Sequence, residues 1–505
     1  MKHIISFDIG TSGIKCGLFD ANLKCITITR CDYTVTMSAD GTAEADPMAY
    51  INGLIQCTRE ALQSTQIPAE NVTAMCITTQ GETLIPVDKN GTPLHPAIVW
   101  LDGRAEQEAA ELKEILPDPV FKAKTGLPGV DGYTPLVKLL HIKRNMPEIF
   151  AKTDKFLLLE DYVAYWLTGR MVSEKSLLSS TGYFDLTEDD LWLDALSAAG
   201  IDPSLLPEVV DPGAFIGALR PEVADVLGLT TKATLYAGAM DQLAGAVGCG
   251  NYQIGRFHET TGTAMIVAPT LGLEDAMESD PQLTVYRHVE KDTYLLLSIG
   301  RTATTILKWF AEQFYSEETG GDIYARLSQI TAGGTPGANG MLLLPYFEGT
   351  IGSEGGENLK GTFWNVGLHN TREDFVRAVF EGVAFMLQDN LRLMMANSDV
   401  QIGQLISIGG ASKSEIWSQI KADVTGCEII TMPETESALL GCACIAAVGS
   451  GMYASFDEAL RNHENVVRYA PKSETAAFYQ TLYQKYTLMK TGMEQLALQT
   501  QATGE

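Results

Sequence analysis

Residues Lys2 to Asp20 read KHIISFDIGTSGIKCGLFD. Lys2 to Phe7 is a short β-prone run, DIGTSG turns the chain, and Ile14 to Phe19 is a second apolar run closed by Asp20, so the stretch predicts a hairpin. Small residues at Gly10, Thr11, Ser12 and Gly13 let several backbone N–H groups face one anion, and Lys15 adds a side-chain donor. That is the composition of a phosphate-binding turn. Asp8 does not suit a plain anion nest, because a carboxylate beside a phosphate is repulsive unless a divalent cation lies between them, so it points to Mg2+. An ordinary glycine-rich hairpin with a surface Asp and Lys has the same letters, and the segment alone supports both readings. No Gly-Lys-Ser/Thr sequence is present, which removes a P-loop.

Working outward, Val72 to Thr78 reads as a strand leading into Gln80, Gly81 and Glu82, and Glu106 to Ile115 as a helix of Ala, Glu and Leu. Strands alternating with helices give the α/β class. In the middle of the chain LYAGAMDQLAGAVGCG runs from Leu235 to Gly250, and GRFHETTGTAMIVA from Gly255 to Ala268 holds a second Gly/Thr turn between apolar segments. The strand, turn, strand signal of the first half recurs. A boundary near Gly248 to Gly255 follows, with two α/β domains at 1–248 and 249–505. In the second, Thr371 with Asp374 three residues on predicts a capped helix running to Met395. Leu405 to Ile408 predicts a strand feeding Gly409 and Gly410, SKSEIWSQIKADV the helix after it, and Ala476 to Leu498 an amphipathic terminal helix.

The 505 residues exceed what one core usually organises, which agrees with two domains. Asp plus Glu number 63 against 36 Lys plus Arg, a net charge of −27 that repels phosphate backbones and anionic lipid. Nucleic acid and membranes are not expected as partners. Nine scattered cysteines without a Cys-x-x-Cys pair suggest neither a disulfide framework nor a zinc site, and fit buried thiols in a reducing cytoplasm. Asp8 interrupts the only apolar run near the start, so no secretory leader is expected, and Ala438 to Met452 is too short to span a bilayer.

Taken singly, the remaining candidates are weak. Thr260 to Thr263 is a hydroxyl-rich turn of a common kind, and Asp241 serves equally well as a helix N-cap ahead of QLAGAVG. GGASKS from Gly409 is not the dinucleotide fingerprint G-x-G-x-x-G, which disfavours a Rossmann dehydrogenase.

Their order along the chain is more specific. DIGTSGIKCGLFD (Asp8 to Asp20), PAIVWLDGRA (Pro96 to Ala105), YTPLVKLL (Tyr133 to Leu140), GAMDQLAGAVGCG (Gly238 to Gly250) and TTGTAMIV (Thr260 to Val267) are followed by GTFWNVGL (Gly361 to Leu368), RAVFEGVAF (Arg377 to Phe385), IGGASKSEIWSQIKAD (Ile408 to Asp423) and ESALLGCACIAA (Glu436 to Ala447). Together these resemble the FGGY carbohydrate kinases along nearly the whole chain. The resemblance implies a duplicated actin-like ATPase (ribonuclease H-like) fold, with two domains flanking a cleft that holds ATP and a sugar. By likeness, Thr11, Ser12 and Lys15 lie at the ATP phosphates, Asp8 and Asp241 hold Mg2+, and Gly262 and Thr263 close on the phosphates from the second domain. Gly410 and Ser414 lie against the adenine. Asp241 matches the catalytic Asp, Gln242 stands beside it toward the substrate, and Gln80, Glu82, Trp100 and Asp102 line the sugar site.

The segment Trp100 to Arg104 is most similar to the xylulokinase-like and gluconokinase-like branches, which implies a small sugar, first of all a ketopentose such as xylulose. A sugar acid such as gluconate, or a polyol such as glycerol or erythritol, is the alternative. Gly81 departs from the Arg of the glycerol kinase branch, and Gly81 with Glu82 departs from the Met-His pair of the xylulokinase branch. A sugar-independent ATPase on the same scaffold is the reading from another class, and a homodimer is left open.

Overall fold

The computed structural model describes residues 2–317, 322–349, 358–396, 400, 402–432, 436–463 and 466–503. Its first compact unit is built on the opening hairpin. His3–Ile9 and Gly13–Phe19 pair antiparallel, with Asp8 opposite Lys15, around the turn that the small residues dictate. His3–Ile9 also pairs in parallel with Val72–Thr79, which pairs in parallel with Thr234–Tyr236, and Phe215–Ala218 closes that edge antiparallel. Cys25–Asp32 extends the other edge. The strands Val72–Thr79 and His3–Ile9 are buried along almost their whole length, as expected of parallel strands covered on both faces. Pro47–Thr65 is one covering helix; Asp46 caps it by accepting from the Met48 N–H at 2.9 Å, and Pro47 at the first position costs no hydrogen bond. Ile14, Tyr50, Ile51 and Leu54 meet in one apolar cluster with Phe7 and Ile77.

The second unit repeats this plan. Phe257–Thr261 and Met265–Leu271 form an antiparallel hairpin, Phe257–Thr261 pairs in parallel with Gln404–Ile408, that strand pairs in parallel with Glu428–Thr431, and Val467–Tyr469 closes antiparallel. Hairpin, parallel, parallel, antiparallel edge is the order in both units. The recurrence read from the two Gly/Thr turns is therefore a recurrence of whole sheets. Arg372–Met394 is the long helix expected, with Thr371 as its N-cap and the Thr371 N–H held by Asp374 Oδ2 at 2.8 Å. Glu415–Thr425 and Ser473–Thr503 stand where the sequence puts helices.

By compactness the chain falls into two units. The first comprises Met1–Tyr252, Thr284–Leu295 and Glu436–Glu464, and the second the remaining segments. Helix packing explains the return of the last segment. A Cβ on Gly248 would lie 1.8 Å from the Ser437 carbonyl oxygen, and one on Gly441 would lie 1.8 Å from that of Ala244. The helices Asp241–Gly248 and Ser437–Gly449 thus touch backbone to backbone, and Gly441, which interrupts the apolar run in sequence, is what permits the contact. All nine cysteines are free thiols. Among the described residues no helix is long and apolar enough to cross a membrane.

Candidate active site

In the first unit, the end of one strand and the start of one helix set two carboxylates close enough for the charge of one to act on the other. Asp8 is near the end of His3–Ile9, and Asp241 is the first residue of Asp241–Gly248, with Met240 rather than Asp241 at the cap position. Burial, and after it the charge of Asp8, pushes the Asp241 carboxyl up to about 7, against the Gln242 N–H that donates to Oδ1 at 2.6 Å. Burial raises Asp8 too, while Lys15 pulls it down and Glu436 pushes it up. Lys15 Nζ is held by Glu436 Oε2 at 2.6 Å, so the hairpin lysine has a carboxylate partner 421 positions away.

The loop entering Asp241 is held through its backbone. Gly238 N–H donates to Glu160 Oε1 at 2.9 Å, Met240 N–H donates to Ser176 Oγ at 3.1 Å, and the Ala239 carbonyl accepts from Thr78 Oγ1 at 2.5 Å. Gly238 admits no side chain, since a Cβ there would lie 1.7 Å from the Ile77 carbonyl oxygen.

The Gln80 to Glu82 turn adjoins this loop. Gln80 N–H donates to the Ile9 carbonyl at 3.0 Å, its Nε2 donates to Thr83 Oγ1 at 3.1 Å, and its Oε1 is buried without a partner in the protein. A buried amide oxygen left unpaired is an acceptor open to a ligand or a water. A Cβ on Gly81 would sit 3.0 Å from Met240 Sδ and 3.2 Å from Ser180 Oγ, so a side chain at this position requires Met240 to give way. Glu82 adopts φ +52°, a left-handed conformation uncommon for a residue with a Cβ. Burial raises its carboxyl, opposed by Lys138 and aided by the charge of Asp241. Lys138 is itself buried, which lowers its ammonium; Nζ donates to the carbonyls of Glu82 at 3.2 Å and Val99 at 3.0 Å.

Trp100 is 37% exposed, and its indole N–H donates to Thr11 Oγ1 at 2.9 Å, joining its segment to the turn of the first hairpin. Ser12 is exposed on that turn, and its carbonyl accepts from the Tyr33 N–H at 3.3 Å. Asp102 differs from the expected open sugar ligand. Its Oδ2 accepts from the Ala43 N–H at 2.6 Å and Arg104 at 2.7 Å, and its Oδ1 from the Arg104 N–H and Nε. Burial alone would raise this carboxyl, yet those hydrogen bonds hold it below its usual range. Arg104 also donates to Glu44 at 2.6 Å. Tyr286, which the sequence did not single out, lies on Thr284–Arg287 between two buried neighbours, and burial followed by the charges of Glu82, Asp241 and Asp131 drives its hydroxyl well up. Nothing in the local pattern TVYR marks it, because its place depends on residues 284–295 joining the first unit.

The second unit holds the other four candidates. Gly262 and Thr263 form the turn of its hairpin; Thr304 Oγ1 donates to the Gly262 carbonyl at 2.6 Å and Thr305 Oγ1 to that of Thr263 at 2.8 Å. Gly410 and Ser414 line a cavity of about 900 Å3 together with Tyr324, Ser328, Phe380 and Lys413. A Cβ on Gly410 would meet nothing within 4 Å, so this wall is open to a flat ligand, and Ser414 Oγ lies 2.9 Å from Ser328 Oγ.

Profiles of the N-terminal and C-terminal domains of the FGGY family of carbohydrate kinases match residues 3–248 and 260–450. The chain belongs to that family. The kinase is 28% identical over 500 residues to a xylulose kinase of Bacillus subtilis, covering 98% of both chains, and 26% identical over 500 residues to a gluconokinase of Bacillus licheniformis, covering 98% of this chain and 96% of the relative. The crystal structure of xylulose kinase from Rhodospirillum rubrum superposes with a TM-score of 0.88 at 25% identity, covering 98% of the kinase and all of that chain. This FGGY kinase is an ATP-dependent sugar kinase on a duplicated α/β, actin-like fold, which sets aside the sugar-independent ATPase.

Proposed function

We propose that the kinase phosphorylates a neutral ketopentose such as xylulose, with Asp241 as the general base. The part-buried carboxyl of Asp241, raised by burial and by the charge of Asp8, carries the catalytic part of this reading. A base works best with a pKa near the operating pH, and burial plus a like charge bring Asp241 to about 7. Asp241 accepts the proton of the attacking hydroxyl, Gln80 Oε1 accepts a second sugar hydroxyl, and Glu82 and Gln242 orient the rest. Thr11, Ser12, Lys15, Gly262 and Thr263 bind the phosphates, and Gly410 and Ser414 border the base. Transfer of the γ-phosphoryl group is mainly a matter of such positioning.

Mg2+ fits the chemistry of Asp8 and Asp241. Burial raises both carboxyls and the charge of Asp8 raises that of Asp241 further, so a cation beside them is stabilising, and Mg2+ is commonly held by one or two carboxylates together with phosphate oxygens. When bound, it neutralises charge on the transferring phosphate.

The neutral sugar is favoured because the cations near the sugar segments already have partners. Arg104 is taken up by Asp102 and Glu44, and Lys138 by two backbone carbonyls. A sugar carboxylate would meet Glu82 with like charge. Comparison of kcat/KM for D-xylulose, L-ribulose, D-ribulose, glycerol and D-gluconate under one set of conditions tests this. A ketopentose is expected to lead; gluconate exceeding every neutral sugar by more than about tenfold, about 1.4 kcal/mol in the barrier, overturns it.

A further inference from the structure

The second unit contains a buried ion pair that sugar chemistry does not require. Lys421 Nζ and Glu259 Oε1 lie 2.6 Å apart, with side chains 1% and 0% exposed. Taking both charges out of water is costly, and a well-packed apolar pair of similar volume is often at least as stable, so the pair is weak as a source of stability. Its connections are specific. Glu259 and Thr261 alternate onto one face of Phe257–Thr261, and Ser407 stands opposite Glu259 on Gln404–Ile408. Lys421 donates to Glu259 and, at 2.8 Å, to Thr261 Oγ1, with Ser407 Oγ 3.4 Å away. Thr261 Oγ1 donates to Glu259 Oε2 at 2.6 Å, and Ser407 Oγ donates to Glu259 Oε1.

Each partner adjoins a segment assigned above to the nucleotide. Thr261 precedes Gly262 and Thr263, Ser407 is followed closely by Gly409 and Gly410, and Lys421 belongs to the helix Glu415–Thr425 that begins just after Ser414. The two turns also touch: a Cβ on Gly409, which has φ +83°, would lie 3.1 Å from Thr260 Cγ2. We infer that Lys421 and Glu259 are positioning residues for ATP, locking the Thr261 to Thr263 turn, the Gly409 to Ser414 segment and the helix behind them in one register. The inference rests on the proposed nucleotide role of Gly262 and Thr263. A fully connected buried polar network rigidifies what it joins, whereas apolar replacements fill the same space without directional bonds.

Three proteins separate positioning from stability: wild type, the double variant Lys421→Met with Glu259→Leu, and Gly262→Ala. Melting temperature, KM for ATP and KM for the sugar are measured on each. The double variant is expected to melt within a few degrees of wild type, with KM for ATP raised at least fivefold and KM for the sugar within twofold. A wild-type KM for ATP in a folded double variant overturns the inference and leaves the nucleotide assignment standing. Gly262→Ala meets no protein atom closer than 3.8 Å, so it should fold and raise KM for ATP about tenfold. An unchanged KM for ATP there overturns the nucleotide assignment, and this inference with it. If the double variant does not fold, Glu259→Gln, which keeps the shape and removes the charge, takes its place. A rise of at least twofold in KM for ATP alone supports positioning, and no rise overturns it.

Discussion

The two hairpins use one backbone device for different chemistry. In the first, His3–Ile9 ends in a carboxylate whose charge acts on a second carboxylate at a helix start, and the lysine across the ladder is paired with Glu436. In the second, the equivalent strand ends in hydroxyls, and its carboxylate, Glu259, is turned inward and neutralised by Lys421. The first hairpin leaves its carboxylate part-buried beside the start of Asp241–Gly248, while the second buries its charge and leaves backbone and hydroxyl groups at its turn. A duplicated fold can thus give its two hairpins a different charge by moving one carboxylate along a strand.

Removing the charge from the first site should have the largest effect. Asp241→Asn keeps the shape and loses the base, so kcat should fall about 10²- to 10⁴-fold while MgATP still binds; a variant with near wild-type kcat makes Asp241 merely structural. The same substitution should stabilise the metal-free protein at alkaline pH. The folded carboxyl is raised from 3.8 to about 7, so the native state holds more protons than the unfolded one between those values. Wild-type stability therefore falls as pH rises through that window. The melting temperature of the variant should exceed that of wild type above pH 7, by up to about 4 kcal/mol in stability, with the gain vanishing near pH 4.

A second effect sharpens the contrast through pH. Asp241 must be unprotonated to act, so kcat/KM should fall toward tenfold per pH unit below about 7. The second hairpin presents no such group, and the KM for ATP should not follow that limb; a parallel rise in KM would show that the limb reports nucleotide binding. The smallest effect is expected at the second turn. Thr263→Ala removes one hydroxyl and leaves the backbone donors, so KM for ATP should rise only about two- to tenfold, in line with the net worth of one ordinary hydrogen bond. A larger loss would mean that the side chain carries the binding assigned to the backbone.

Much of this was legible locally. Strand alternation, small residues in turns, and the Thr371 to Asp374 spacing act within a few residues, and each gave an element that the structure contains. Even the duplication showed in two similar turns. The glycines at 248 and 441 look like breakers in sequence, and only the paired helices show them to be a contact surface.

What the sequence determined by itself was therefore the class, the two hairpins and the identity of the charged groups, because these follow from periodicity and residue chemistry along a short piece of chain. The partners of those groups were decided by tertiary structure. Lys15 meets Glu436 across 421 positions, Lys421 meets Glu259 across 162, Arg104 takes the oxygens of Asp102, and Tyr286 enters the first unit on a segment far from the rest of it. Whether a buried charge is a ligand, a base or half of an ion pair depends on what the folded path brings within about 3 Å, and local periodicity holds no record of that distance.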